Sequence, residues 1–343
     1  AVRMRSMYQV HIKNNHYRHD TFPNTAEGEE VFTITQDRFD TAAKAHPDVS
    51  AEIEVSIDWD TENFNSHMAT ADALVTWDLP TENLAEVAPR LKWIHIIGAG
   101  VEHLTPIDWL PDGVILTNNK GVHAAKGGEF GIMSILMLHN HMPKIMTNQI
   151  RACYDSLYST PIAGKTLVLI GTGSIGRAVA KHAQGLGIHV IGVSRHGNML
   201  PELDESVPVE QLDRVLPRGD IVFVVTPLTP ETENLLDARR LRLLKPGAGL
   251  VNIGRAAVVD YAALVEGLDS GAIGGAVLDV FDPEPLPSES ALWSQPNLVI
   301  TPHVSADDGN AYVSLTLDVF FNNMRRLIRG EALENQVNTA LGY

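Results

Sequence analysis

The 343-residue chain predicts an α/β protein with a doubly wound parallel sheet of the Rossmann type and a second, smaller α/β unit. Three observations support this. Between Thr166 and His303 six apolar runs alternate with helix-like segments, the pattern of strands joined by crossover helices. A glycine-rich turn joins the first run to the helix after it. The region before it has strand-like runs of its own but no second glycine fingerprint.

Taken in order, Ala73–Trp77 and Trp93–Ile97 read as strands of the first unit. Phe130–Leu138, apolar apart from Gly131 and Ser134, reads as a buried helix at a domain or subunit interface, kinked or ended near Pro143. The strands of the large sheet are Thr166–Ile170, His189–Ser194, Asp220–Val225, Gly249–Gly254, Gly274–Val280 and Asn297–Thr301. Thr229 followed by Pro230 suits a cap and first turn for a helix over Glu231–Leu244, and Asp260 suits a cap for Tyr261–Leu268. Asn310–Arg329 carries apolar residues at helical spacing and is expected to return to the first unit. The expected division is residues 1–115 with 310–343 for one unit and 116–309 for the other.

A net charge of -16 puts a negative field around the molecule, which disfavours nucleic acid and anionic membrane surfaces. Cys153 is the only cysteine, so an internal disulfide and a multi-cysteine metal site are excluded, and a cytoplasmic setting is expected. The first ten residues have no apolar core, and the longest apolar run, Phe130–Leu138, falls short of the roughly 18 residues of a membrane span. Neither a leader nor a spanning helix is expected.

Gly171-Thr172-Gly173-Ser174-Ile175-Gly176 lies between a strand and a helix. Gly171 permits the tight turn, Gly173 lets a pyrophosphate approach the backbone, and Gly176 permits close helix–strand packing. The next strand ends in Ser194-Arg195, with no acidic residue to accept ribose hydroxyls. A hydroxyl beside a guanidinium suits a 2′-phosphate, so NADP(H) is preferred over NAD(H). Beyond the fingerprint, Arg255, Glu284 and His303 each follow a strand-like run, which brings a cation, a carboxylate and an imidazole to one sheet edge.

These residues, with Val251-Asn252-Ile253-Gly254-Arg255, Leu278–Pro287, Thr301-Pro302-His303, Pro227–Thr232, Thr117-Asn118, Gly121-Val122 and Ile97–Glu102, resemble the D-2-hydroxyacid dehydrogenases over roughly residues 70 to 343. The glyoxylate and hydroxypyruvate reductase branch is the most similar. The resemblance implies a flavodoxin-like substrate domain and hydride exchange between a nicotinamide cofactor and a 2-keto or D-2-hydroxy acid. No metal is expected, since His141 and Cys153 have no partner at ligand spacing, and the apolar Phe130–Leu138 helix suggests a homodimer. It implies that His303 exchanges the proton, that Glu284 supports the imidazolium, and that Arg255 binds the substrate carboxylate and polarises its keto oxygen.

By the same resemblance, the amides of Gly98, Ala99, Gly100 and Val101 receive the substrate carboxylate, and Asp279 contacts the nicotinamide carboxamide. Thr226, Pro227, Thr232, Ile253 and Gly254 line the cofactor. Trp77 and Leu79 are expected to line the substrate pocket. Gly98, the Gly127-Gly128 pair and Ala306 depart from the family pattern, where a serine, larger apolar residues and a glycine are usual. A nucleotide-sensing corepressor of the same fold is the alternative function.

Overall fold

The computed structural model describes residues 7–343; Ala1–Ser6, part of the N-terminal stretch in which no leader is expected, lie outside the described residues. The chain divides into two compact units, one running through Val122 and resuming at Asp308–Tyr343, the other His123–Asp307. The expected boundaries were 115 and 310. The segment up to Val122 stays with the first unit because Asn119 donates to Ile97 O at 2.7 Å and to Thr316 Oγ1 at 2.8 Å, both in that unit.

The first unit holds a parallel five-stranded sheet made of β1 (Tyr8–Asn14), β2 (Ile53–Trp59), β3 (Ala73–Thr76), β4 (Trp93–Ile96) and β5 (Ile115–Thr117), in the order β2-β1-β3-β4-β5. Of these, β3 and β4 are the strands expected from sequence; β1, β2 and β5 are additional. In β1 the continuous apolar run of a buried parallel strand is broken by His11 and Lys13, which are both buried. Lys13 Nζ is neutralised by Asp78 at 2.8 Å, so its burial leaves no unpaired charge. The Tyr312–Arg329 helix returns to this unit, where Phe320 stacks on Trp93 with ring centroids 5.3 Å apart.

The second unit holds a parallel seven-stranded sheet: β6 (Thr166–Ile170), β7 (His189–Ser194), β8 (Glu205–Pro208), β9 (Ile221–Val224), β10 (Ala248–Asn252), β11 (Ile273–Leu278) and β12 (Leu298–Ile300). Their order is β12-β11-β10-β9-β6-β7-β8. All six expected strands are present. The seventh, β8, is a short edge strand ending in Pro208, where a missing N–H costs no ladder bond. Strand order reverses at β6, so the glycine-rich turn after it lies at the topological switch point, where open α/β sheets bind ligands.

Ala124–His139 forms the expected buried helix and ends before Pro143; His141 takes φ +57, and a new helix, Met142–Ile150, starts with that proline in its first turn. Asp260 caps Tyr261–Ser270 through Ala263 N at 3.0 Å, and Gly271 closes it at φ +76.

The helix expected over Glu231–Leu244 is a correction. The Thr232 hydroxyl donates to Pro227 O at 2.7 Å and receives Thr229 N at 2.8 Å. Asn234 then turns at φ +52 and donates to Ala257 O. These local bonds hold a turn in place of the helix start, and only Ala238–Leu241, capped by Asp237, is helical.

Candidate active site

In the second unit each polar group of interest lies just past the carboxyl end of a strand. Asn252, the last residue of β10, is buried; its Oδ1 receives Gly254 N at 3.0 Å, and its Nδ2 donates to Arg255 O at 3.0 Å. The same Nδ2 meets the Tyr261 hydroxyl at 3.1 Å, and that hydroxyl donates to Val280 O at 2.7 Å. One amide and one phenol thereby fix the turn that presents Arg255 and tie it to the segment after β11. Neither residue has a role predicted from sequence; an asparagine closing an apolar strand is the available signal.

After β12, the His303 backbone takes φ +51, a left-handed conformation that costs a non-glycine residue on the order of 1 kcal/mol. Asp279 holds it there. The Asp279 carbonyl receives His303 N at 2.9 Å, and its buried carboxylate receives the Thr301 hydroxyl at 2.7 Å, Val304 N at 3.0 Å and Ser305 N at 3.2 Å. Burial raises the Asp279 pKa, and these donors only partly oppose the rise.

The imidazole so placed donates from Nδ1 to Glu284 Oε2 at 2.7 Å, and the other oxygen of Glu284 receives Phe281 N at 2.8 Å. This leaves Nε2 as the nitrogen open for proton exchange. Burial pushes the His303 pKa down, but the hydrogen bond and charge of Glu284 overcome it and the net direction is upward; Asp279 adds to the rise and Arg255 opposes it. With 48% of the imidazole side chain exposed, the pairing governs. Burial raises Glu284, yet His303, Phe281 N–H and Arg255 together bring it below its ordinary value. Arg255, Glu284 and His303 thus act electrostatically on one another.

At the switch point Gly171 takes φ +105, and a Cβ there would lie 2.7 Å from Val225 O. A Cβ on Gly176 would lie 2.1 Å from Gly171 O, whereas one on Gly173 would meet nothing within 4 Å. Gly173 therefore fronts open space at the start of the Ser174–Gly185 helix, which has no side-chain cap. Unpaired amides and a positive dipole end facing open space fit a dinucleotide pyrophosphate. A Cβ on Gly254 would lie 2.7 Å from Thr226 O, so Ile253-Gly254 and Thr226-Pro227 form adjacent edges of the same region. Thr232 folds the turn beyond them.

The Ser194 hydroxyl receives Gly197 N at 3.1 Å, and Arg195 Nη2 donates to Glu231 at 2.5 Å. Two departures from the family pattern are one exchange of space: a Cβ on Gly127 would lie 2.9 Å from Ile175 Cγ2 and 3.3 Å from the Ala306 methyl. A Cβ on Gly128 would lie 2.8 Å from the Ala178 methyl.

In the first unit the turn Gly98–Val101 is held by its carbonyls. Ile97 O receives Asn119 Nδ2 and the Tyr312 hydroxyl, Gly98 O receives Asn119 N, and Ala99 O receives Asn118 Nδ2. Asn119 is itself fixed by His95, a buried imidazole pushed down to about 4 and therefore neutral. The turn's own amides, from Gly98 to Val101, donate to no protein acceptor among the described residues. Gly98 is glycine because a Cβ would lie 2.3 Å from the Trp77 ring. Leu79 lines a cavity of about 580 Å³ with Asp78, His103 and Trp109.

No helix among the described residues is long and apolar enough to cross a membrane. The family described as D-isomer specific 2-hydroxyacid dehydrogenase, NAD binding domain, matches residues 132–305. A glyoxylate reductase of Thermococcus litoralis is 31% identical over 78% of this chain and 83% of its own length. A D-3-phosphoglycerate dehydrogenase of Methanocaldococcus jannaschii is 30% identical over 84% of this chain, which spans 55% of that relative.

Among solved structures, a D-isomer specific 2-hydroxyacid dehydrogenase of Xanthobacter autotrophicus in complex with NADPH aligns with a TM-score of 0.81 at 29% identity, over 98% of this chain and 100% of that one. An NADPH-dependent glyoxylate/hydroxypyruvate reductase of Sinorhizobium meliloti aligns at 0.79 and 27% identity over the same shares. The named relatives are enzymes, which supports the dehydrogenase reading over the corepressor alternative. The chain belongs to the D-isomer specific 2-hydroxyacid dehydrogenases and is an NAD(P)-dependent oxidoreductase of 2-hydroxy acids.

Proposed function

We propose that the enzyme reduces small 2-keto acids, with glyoxylate and hydroxypyruvate as the substrates of choice and NADPH preferred over NADH. The observation that carries the cofactor preference is Arg195 directly after β7, at the strand end where NAD-type sites carry an acid. The glyoxylate reductase names of the relatives support the substrate class.

His303 gives its Nε2 proton to the keto oxygen while Glu284 receives Nδ1–H and keeps the imidazolium favoured. Arg255 holds the substrate carboxylate and polarises the carbonyl, with Asn252 and Tyr261 fixing its backbone. In the first unit, the open amides of the Gly98–Val101 turn suit a carboxylate, and Leu79 suits an apolar substrate group. Thr172, Ser174 and Ile175 offer hydrogen bonds to the pyrophosphate, and Asp279 accepts the nicotinamide carboxamide. A nicotinamide cofactor held there would supply the hydride for the carbonyl carbon.

A homodimer is supported by Ile150, Tyr154 and Tyr158, which are 88%, 99% and 87% exposed in one short stretch. Ile150→Asp is expected to halve the mass seen in sedimentation; a wild type that sediments as a monomer removes the proposal. The single free thiol, Cys153, suits a reducing cytoplasm.

The test is a panel of glyoxylate, hydroxypyruvate and phenylpyruvate with NADPH and with NADH, followed by nicotinamide absorbance. Arg255→Ala serves as control and is expected to lower kcat/KM about 10²- to 10³-fold. A strong NADH preference overturns the cofactor assignment, and turnover confined to phenylpyruvate overturns the substrate.

A further inference from the structure

An acidic side chain does reach the end of β7, from a segment that inspection of the strand ends does not reveal. Glu231, in the turn after β9, receives Arg195 Nη2 at 2.5 Å. The two side chains are 65% and 40% exposed, so the pair sits at the surface where a ligand can displace it. The backbone carrying Glu231 is fixed on either side: Thr229 N donates to the Thr232 hydroxyl at 2.8 Å, and Glu233 N donates to Thr229 O at 2.9 Å. Its carboxylate is thus held close to the Arg195 guanidinium by the folded turn.

We propose that Glu231 is a specificity-determining residue that tempers the choice between NADPH and NADH. A 2′-phosphate bound by Arg195 must take the guanidinium from a carboxylate already paired with it and accept a like charge nearby. A ribose with a free 2′-hydroxyl meets no such competition, and Glu231 offers that hydroxyl an acceptor. One arginine and one glutamate from two different loops therefore replace the single strand-end residue that usually selects one cofactor, and the site takes both with a moderate bias. The Ser194 hydroxyl, which accepts Gly197 N–H, keeps its proton for a phosphate oxygen.

This inference rests on the assignment of Arg195 to the 2′-phosphate, and the experiment separates the two. The inhibition constants of 2′,5′-ADP and of 5′-AMP against NADPH are measured for wild type, Glu231→Gln and Arg195→Ala, with kcat/KM for NADPH and NADH alongside. Glu231→Gln is expected to bind 2′,5′-ADP about fivefold tighter, the order of one exposed charge interaction. It should bind 5′-AMP no tighter and raise the NADPH/NADH ratio by a similar factor. Binding of 2′,5′-ADP that is unchanged or weaker in Glu231→Gln overturns the role of Glu231. Arg195→Ala with undiminished 2′,5′-ADP affinity overturns the phosphate assignment itself.

Discussion

Replacing Glu284 by glutamine keeps the shape of the side chain and removes its charge. In the wild type one carboxylate oxygen is fixed by Phe281 N and the other receives His303 Nδ1–H at 2.7 Å. A hydrogen bond to a charged partner contributes about 1.5–3 kcal/mol and a neutral one about 0.5–1.5 kcal/mol. The difference, discounted because His303 and Glu284 are 48% and 34% exposed, is about 1 kcal/mol in favour of the imidazolium. That corresponds to about a fivefold loss of loaded acid above the histidine transition.

Reduction needs His303 protonated, so the rate falls as pH rises through its pKa, and that falling limb should lie at lower pH in Glu284→Gln. The assay is kcat/KM for 2-keto acid reduction across pH, with circular dichroism confirming the fold. Coincident limbs for the two proteins would refute the pairing as the cause of the raised value.

The pair also predicts a stability window. The raised His303 value stabilises fully below the ordinary 6.5 and fades as pH rises through it, while the lowered Glu284 value stabilises above 4.5 and fades on acidification. The Tm difference between wild type and Glu284→Gln should therefore be largest between those two values; a difference that is flat across pH counts against the ion pair. Gly176→Ala, whose Cβ would lie 2.1 Å from Gly171 O, is expected to lose about 1–3 kcal/mol of stability by denaturant unfolding. Gly173→Ala, in open space, should keep stability and lose nucleotide affinity; equal effects from both would contradict the close approach assigned to Gly173. Tyr261→Phe removes two hydrogen bonds behind Arg255 and should cost about 1–3 kcal/mol. It should also lower kcat while leaving nucleotide affinity unchanged, as titration of bound cofactor can check.

Much of the second unit was legible because a parallel sheet buried on both faces writes its strands as unbroken apolar runs, and because Arg255 and His303 lie three residues, and Glu284 six residues, past the end of such a run. The first unit was harder. β1 interrupts its pattern with His11 and Lys13, and only the fold supplies their partners, Ser56 and Asp78. The missing helix after Pro230 shows hydroxyl side chains outcompeting local propensity. Long-range partners carry no local signature, so the meeting of Arg195 with Glu231 and the support of Arg255 by Tyr261 required the folded chain. The unusual glycines were visible as departures, but their cause was not: Gly98 yields to the Trp77 ring, and Gly127 yields to Ile175 and Ala306.

That last seam limits how this protein can be redesigned. Gly127, Gly128 and Gly131 let the Ala124–His139 helix lie against Ile175, Ala178 and Val179 of the nucleotide-facing helix with no clearance for a methyl group. A bulkier side chain introduced on either helix, at Gly127, Gly128 or Gly131 or at the facing Ile175, Ala178 or Val179, would therefore collide with the other. The two helices must be exchanged together, as one cassette.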